Sequence, residues 1–216
     1  MLTQHSELST QNSVLRTIFD MGRPTKENSL TRQDVIEAAI CCLEKEGEAA
    51  LGVNRVAREL GIKPPAIYKH LDGNAALRKA VVLEVWQKYL MYCEQQTAQL
   101  STPREMLLAG GHATRNFART YPAFYRLMMQ YQLQPSDPDA GVVIQKSLGF
   151  LKNSLRLYEL NENQLIDVMR MVNAAITGFI SIEQAGLMTL GRSTDESYEV
   201  MLDALLVAIE HIRSTS

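Results

Sequence analysis

The chain has 216 residues, of which 46% are hydrophobic and 21% are charged, and its formal net charge is −2. This length is sufficient for two units that each bury a core of their own. The chain has three cysteines, an odd number, and Cys41 and Cys42 are adjacent, so the sequence excludes a disulfide framework and favours buried thiols over redox sensing.

The sequence contains no unbroken apolar run of about 18 residues, which is the usual mark of a membrane-spanning helix. The N-terminus also lacks the charged and then apolar pattern of a signal peptide. We therefore expect a cytoplasmic protein with no membrane partner.

Residues 1–30 are polar and weakly patterned, which predicts a flexible N-terminal arm. The alternative is a single amphipathic turn formed by Leu15, Ile18 and Phe19. Met21 offers a second translation start besides Met1, and the sequence leaves the choice between them open.

Two short helices joined by a tight turn are predicted next. Apolar residues recur at helical spacing from Val53 to Leu60, and Gly61 is suited to the left-handed conformation that ends a helix. Pro64 and Pro65 fit the first turn of a following helix, where backbone N–H groups have no partner. This second helix, Pro65 to Leu71, is too short for a core helix, so we expect it to be presented to a partner. The pattern is typical of a DNA-reading helix-turn-helix.

The segments around this motif resemble the tetracycline-repressor (TetR) family of bacterial transcription regulators over residues 31–80. Three positions depart from the family pattern. Gly52 replaces a Ser or Thr cap, Leu71 replaces a Phe, and Asn74 replaces a Lys that contacts phosphate. The segments that match the family's first four helices are Thr31 to Ile40, Ala57 to Ile62, Pro64 to Leu71, and Ala76 to Leu77.

The resemblance implies an all-α fold of about nine helices in two parts. Residues 31–76 would form a three-helix DNA-binding head, and residues 77–216 an effector-binding and dimerisation domain. The charge distribution agrees with this division. Residues 52–80 carry a net charge of +4, whereas residues 91–216 carry −3. A DNA duplex would therefore be attracted to one end of the molecule.

The resemblance and the chemistry of the side chains predict the DNA contacts. The proline and alanine side chains would meet base edges and thymine methyl groups, and the Lys, Tyr and His side chains would meet phosphates. Arg55 could instead pair with Glu59, and Tyr68 could pack under the motif. Arg23 could enter the minor groove or touch only phosphate. The predicted DNA-binding residues are Arg23, Arg55, Lys63, Pro64, Pro65, Ala66, Tyr68, Lys69, His70 and Asn74.

The remainder of the chain is predicted to be helical, with boundaries set by caps and prolines. Thr102 and Ser193 each begin a capping box, and Asn161 caps a long helix. A loop rich in Pro and Asp is predicted over residues 134–139. The predicted helices cover residues 74–97, 102–120, 123–131, 142–157, 161–188 and 193–213.

The last two predicted helices are apolar on more than one side, whereas a helix packed only against its own chain needs a single stripe. We therefore predict a homodimeric four-helix interface, as the resemblance also implies. The alternative is that helices of the same chain cover both faces. The predicted interface residues are Ala175, Gly178, Ile182, Leu205 and Ile209.

Methionine and aromatic residues are concentrated in the second part of the chain, where the resemblance implies an effector pocket. Such residues suit an irregular apolar pocket, although each could equally belong to an ordinary core. A few polar side chains could orient a ligand. The predicted ligand-binding residues are His112, Arg115, Phe117, Tyr121, Phe124, Met128, Phe150, Met169, Asn173 and Phe179.

An enzyme is the rival hypothesis, and the sequence offers it no arrangement of nucleophile, base and orienting group. The four histidines are scattered, and we expect no metal and no cofactor. We predict a repressor that is released from a palindromic operator by a small, largely apolar effector. The alternative is a helix-turn-helix regulator that is controlled by a partner protein.

Overall fold

The computed structural model describes residues 13–18 and 30–215. Within these residues the chain forms ten α-helices and no strand, which confirms the all-α prediction. Two 3₁₀ turns, Glu48–Ala50 and Arg156–Tyr158, lie between helices. The helices are α1 (residues 13–18), α2 (Arg32–Glu46), α3 (Val53–Leu60), α4 (Pro64–Ile67), α5 (Gly73–Thr97), α6 (Pro103–Thr120), α7 (Pro122–Gln130), α8 (Pro138–Leu155), α9 (Glu162–Gln184) and α10 (Thr194–Ser214).

Packing divides the chain into two units. The first comprises the residues up to Tyr89 together with Tyr121–Val143, and the second comprises Leu90–Thr120 together with Ile144–Ser216. The first unit therefore contains α7 and the beginning of α8 in addition to the predicted head. The assignment of residues 77–216 to effector binding and dimerisation remains a prediction.

The segment before the predicted head contains a short helix, α1, rather than only a flexible arm. The Leu15 side chain is 0% exposed, and the Lys88 ammonium donates a hydrogen bond to the Ile18 carbonyl at 3.0 Å. Burial lowers the pKa of Lys88. The prediction of a flexible arm is wrong for residues 13–18, because burying Leu15 removes a large apolar surface from water. Phe19, Met21 and Arg23 lie outside the described residues.

Capping side chains fix the starts of α6 and α9 as predicted. The Glu105 amide donates to the Thr102 hydroxyl at 3.2 Å, and the Glu105 carboxylate accepts in return from Thr102. Asn161 and Gln164 exchange the same pair of bonds, each at 3.0 Å. These reciprocal bonds satisfy amides that have no partner within the helix.

Two predicted boundaries and one predicted cap differ from the structure. Helix α8 begins at Pro138 rather than residue 142, because the Asp137 carboxylate accepts the amide of Asp139 at 3.0 Å and proline suits the first turn. Ser193 accepts a backbone amide at 3.2 Å as a simple cap, without the predicted box. Helix α9 ends at Gln184, four residues before its predicted end.

In the second unit, α6 and α10 approach closely at Gly111. A Cβ atom at this position would lie 2.8 Å from a methyl carbon of Leu202, so only glycine fits without a shift of its neighbours. The Tyr198 hydroxyl donates to the Gly111 carbonyl at 2.7 Å. This contact places the N-terminal part of α10 beside the middle of α6.

Candidate nucleic-acid interface

The turn between α3 and α4 has the geometry that the sequence predicted. Gly61 adopts a φ of +67°, and the Ile62 amide donates to the Ala57 carbonyl at 2.9 Å, closing the end of α3. This left-handed position favours glycine because a Cβ atom would be strained there. Pro64 and Pro65 then occupy the first positions of α4. The two helices are thus separated by only three residues.

Helix α4 is shorter than predicted but continues as a helical turn. It ends at Ile67, and the Leu71 amide still donates to the Ile67 carbonyl at 3.0 Å. Ile67 is fully buried and anchors the helix, whereas Tyr68 is 57% exposed, so Tyr68 does not pack under the motif. The other predicted contact residues here are exposed or half-buried, namely Lys63, Pro64, Pro65, Ala66, Lys69 and His70.

Arg55 adopts the paired alternative. Its guanidinium contacts the Glu46 carboxylate and lies 2.8 Å from that of Glu59. These hydrogen bonds raise the pKa of Arg55 and lower that of both carboxyl groups. Lys45 also pairs with Glu59, at 3.2 Å. A phosphate would have to displace carboxylates before it could bind Arg55.

The cations of the head and of the start of α5 fall into two groups. Arg78 contacts Glu48, and Lys79 contacts the Asp137 carboxylate, so both are paired, like Arg55. In contrast, the side chains of Arg58, Lys63 and Lys69 are exposed and have no ion pair within residues 13–18 and 30–215. The charge of +4 over residues 52–80 overstates the cations available to DNA, because the carboxylates that pair with Arg78 and Lys79 lie outside that window.

Two of the three departures from the family pattern, Gly52 and Asn74, compensate each other. Gly52 occupies the N-cap of α3 and has no side chain to cap it. The Asn74 side-chain oxygen accepts the Val53 amide at 2.9 Å instead. A residue at the start of α5 thus caps α3, and this bond is worth about 1 kcal/mol. Leu71, the third departure, is buried.

Comparison with known proteins agrees with this geometry. A family model described as "Tetracyclin repressor-like, C-terminal domain" matches residues 107–205. The chain is 27% identical over 173 residues to the "Uncharacterized HTH-type transcriptional regulator Rv0681" of Mycobacterium tuberculosis, a match that covers 80% of this chain and 78% of that protein. These matches make the chain similar to members of the tetracycline-repressor (TetR) family.

Two further TetR proteins extend the comparison. The chain is 28% identical over 104 residues to "Tetracycline repressor protein class D" of Escherichia coli, a match that covers 48% of this chain and 42% of the repressor. A solved TetR variant of Acinetobacter baumannii AYE, in complex with minocycline, has the same fold, with a TM-score of 0.63 and 21% identity. That alignment covers 87% of this chain and all of the other. The curated relatives are named transcriptional regulators, the class of protein that the helix-turn-helix of this chain also indicates.

Sequence reasoning missed two contacts at this candidate interface. The Glu46 partner of Arg55 lies nine residues away on another helix, so no helical spacing indicated the pair. The cap from Asn74 crosses 21 positions. The one available signal was that Gly52 leaves α3 without a side-chain cap, which requires a partner from elsewhere.

The predicted ligand-binding residues are divided between the two units. Tyr121, Phe124 and Met128 belong to the first unit and are buried there, with the Tyr121 and Phe124 rings stacked at 5.0 Å. The other seven residues belong to the second unit. Of the ten, only Phe150 lines the cleft of about 500 Å³ in the second unit. The ligand assignment of all ten remains a prediction.

Arg115 forms the centre of an ion cluster between α6, α9 and α10. It is 4% exposed, donates to the Glu183 carboxylate at 2.6 Å, and lies 3.0 Å from Asp195. Its guanidinium stacks on the Phe179 and Tyr198 rings, with distances of 5.3 Å and 4.4 Å to their centroids. Burial raises the pKa of Glu183, but the hydrogen bonds from Arg115 and Arg119 outweigh it and lower this pKa to about 2.

The remaining candidates of the second unit lie around this cluster or at the surface. His112 lies 3.4 Å from the Glu199 carboxylate, and Phe117 is fully buried. Met169 is half-buried and Asn173 is exposed. Two of the three polar residues expected to orient a ligand, Arg115 and His112, thus already lie beside carboxylates of the chain.

Helices α9 and α10 differ in how they place the predicted interface residues. On α9, Ala175 and Gly178 are half-buried and Ile182 is exposed. On α10, Leu205 and Ile209 are buried within the single chain, which leaves Val207, 71% exposed, on the outer face. The prediction placed the apolar stripe of α10 on the wrong side, because the periodicity alone does not tell an inner face from an outer one.

By length and composition, helix α9 could cross a membrane. The sequence analysis did not indicate this, because the apolar residues of α9 do not form an unbroken run. Only 22% of its most apolar stretch is buried within the chain. By itself this is weak evidence for a membrane, because helices of soluble proteins pass the same criterion. It shows that α9 exposes apolar surface in the single chain.

Proposed function

We propose that this chain is a homodimeric TetR-family repressor that binds a palindromic operator and is released by a small, largely apolar effector in the cytoplasm. The observation that carries the proposal is the recognition helix, whose small apolar side chains and cations face solvent around a buried Ile67. A surface of this kind suits the major groove of DNA.

Each side chain of the recognition helix has a distinct role in the proposed complex. Pro64, Pro65 and Ala66 lie against base edges and thymine methyl groups, where their small size permits close approach. The polar side chains, with Asn74 at the start of α5, hold the phosphates and set the register. Arg55 contributes little, because Glu46 and Glu59 already neutralise it. The phosphate contacts are Lys63, Tyr68, Lys69 and His70.

A homodimer supplies the second recognition helix. The exposed apolar surface of α9 and α10 supports an interface that contains Ala175, Gly178, Ile182 and Val207. Burying these side chains against a second copy removes apolar surface from water, which is the usual source of such association. Two heads then reach successive major grooves about 34 to 36 Å apart.

Val207→Glu tests this interface. A charge on this face should dissociate the dimer, because the buried carboxylate would have no counter-charge. Val142→Glu is the matched control, since Val142 is 52% exposed on α8 and belongs to the first unit rather than to α9 or α10. Sedimentation at micromolar concentration should give a monomer for Val207→Glu and a dimer for Val142→Glu. A dimer in both would reject the face.

The effector is proposed to bind in the second unit and to favour the conformation that cannot bind DNA. Each tenfold loss in operator affinity requires about 1.4 kcal/mol of preferential binding to that conformation. The cleft that contains Phe150 supports this placement, because its volume of about 500 Å³ suits a small organic molecule.

The function is tested by selecting bound duplexes from a randomised pool and measuring their affinity by fluorescence anisotropy. We expect a palindromic sequence, two chains per duplex, and release by at least one compound from a library of apolar molecules. Selection of no preferred sequence would reject operator binding. A preferred palindrome that no compound releases would instead support control by a partner protein.

A further inference from the structure

The cleft of the second unit lies between the end of α5 and one face of α8. Lys146, Gly149, Phe150 and Asn153 line it at helical spacing, and Arg156 follows in the adjoining 3₁₀ turn. Residues three, four and seven positions apart share one face of a helix. One continuous stripe of α8 therefore forms this wall.

The floor of the cleft is apolar. Met106 is buried and Phe150 is half-buried. The Phe150 ring lies against α6, where a Cβ atom on Gly110 would be 3.8 Å from its tip. The Thr97 hydroxyl also lines the cleft but already donates to the Cys93 carbonyl at 3.0 Å. An apolar molecule could thus replace water here without leaving a floor hydroxyl unsatisfied.

The rim of the cleft carries an excess of positive charge. Lys146 and Arg156 are exposed, and neither has an ion pair among the residues that the structure describes. Glu94 is the single carboxylate in the lining. The two cations are ten residues apart, about 15 Å along a helix, so an elongated ligand between them could meet either one.

We propose that this cleft binds a free amphipathic organic anion, whose apolar body lies on Phe150 and Met106 and whose carboxylate pairs with Lys146 or Arg156. The inference rests on the proposed function in one respect, that this molecule acts as the effector. The inference narrows the class of effector from a largely apolar molecule to an apolar molecule with one negatively charged end.

Gly149 provides a variant that blocks the cleft without disturbing the fold. A Cβ atom at Gly149 meets no atom within 4 Å, so a side chain there would project into open space. Glycine also weakens a helix, so its replacement within α8 should not destabilise the chain. Gly149→Leu should fill the cleft, and Gly149→Ala is the control that adds one small group.

The test uses 6-phenylhexanoate with two matched probes, 6-phenylhexan-1-ol and 6-phenylhexylamine, titrated into the full-length protein by calorimetry. We expect the carboxylate to bind about two- to fivefold more tightly than the alcohol, and the amine to bind most weakly. The double variant Lys146→Ala, Arg156→Ala should lose this preference. Lys152→Ala, an exposed lysine of α8 outside the lining, should keep it.

Gly149→Leu should lower the affinity for the carboxylate at least about tenfold, by excluding its apolar body. Three results would overturn the proposal: equal affinity for all three probes, no binding of the carboxylate, or unchanged affinity in Gly149→Leu.

An operator-release assay separates this inference from the proposed function. If the carboxylate binds with the expected preference but does not release DNA, the site is supported and its role as effector site is rejected. If another compound releases DNA equally from the wild type, Gly149→Leu and the double variant, the regulator is effector-controlled and the proposed site is rejected.

Discussion

Arg115 of the second unit and the lysines beside the recognition helix use their charges in opposite ways. In the second unit, Arg115 is buried between two rings and pairs with Glu183. In the head, Lys63 and Lys69 are exposed beside the recognition helix and have no ion pair within the described part of the chain. A cation whose charge is satisfied internally holds the fold together, whereas one without a partner is available to an external phosphate.

Arg55 shows why this difference cannot be read from local charge. It belongs to the head and to the most basic stretch of the sequence, yet two carboxylates hold it. One of these two carboxylates could not be predicted from helical spacing, because Glu46 belongs to another helix. The number of basic residues in a motif is therefore an upper limit on its phosphate contacts.

The largest expected effect is the loss of stability on removing Arg115, the paired cation. Arg115→Ala should lower the free energy of unfolding by about 3 kcal/mol, because it leaves the Glu183 carboxylate partly buried beside fewer cations. Arg104→Ala is the control, since Arg104 and its partner Asp203 are both well exposed. It should cost less than about 1 kcal/mol. Urea unfolding measures both, and equal losses would contradict a structural role for the cluster.

The same cluster should make stability depend on pH. The folded-state pKa of Glu183 is about 2, below its ordinary value of 4.5. A lowered carboxyl pKa contributes stability that is complete above the ordinary value and is lost as pH falls towards the folded value. We expect the wild type to lose more stability between pH 5 and pH 3 than Glu183→Gln. Parallel losses in the two proteins would contradict the pairing.

The first unit also buries a cation, Lys88, against α1. Leu15→Ala should lower the free energy of unfolding by about 2 to 3 kcal/mol, because Leu15 is fully buried. A chain started at Met21 would lack this side chain and should show a similar loss. Leu157→Ala, at an exposed leucine, is the control and should change stability little. Unfolding curves that coincide for Leu15→Ala and wild type would show that α1 does not contribute to the first unit.

A smaller effect is expected from the cap that Asn74 supplies. Asn74→Ala should cost about 1 kcal/mol, by leaving the Val53 amide without its acceptor. Gly52→Ser should restore most of this loss, because a serine at the N-cap can accept an amide itself. The double variant is therefore the informative one. If Gly52→Ser stabilises the wild type as much as it stabilises Asn74→Ala, the two positions do not compensate.

Local rules predicted the features that local chemistry determines. Gly61 and the two prolines fixed the turn of the motif, and the Thr102 and Asn161 caps fixed two helix starts. Features that depend on distant partners were not predictable in this way. The inward orientation of Ile209 and the Glu46 partner of Arg55 arise only when helices pack. Leu15, Ile18 and Phe19 indicated at most a single amphipathic turn, which was too short a pattern to predict a docked helix.

The most direct test of the account is the salt dependence of operator binding in Lys63→Ala, Lys69→Ala and Arg55→Ala. The slope of log affinity against log salt concentration changes by about 0.9 for each phosphate contact. Because a dimer carries each residue twice, either lysine variant should reduce the slope by about 1.8. Arg55→Ala should leave the slope unchanged. A reduced slope for Arg55→Ala, with unchanged slopes for both lysine variants, would contradict the division between paired and available cations.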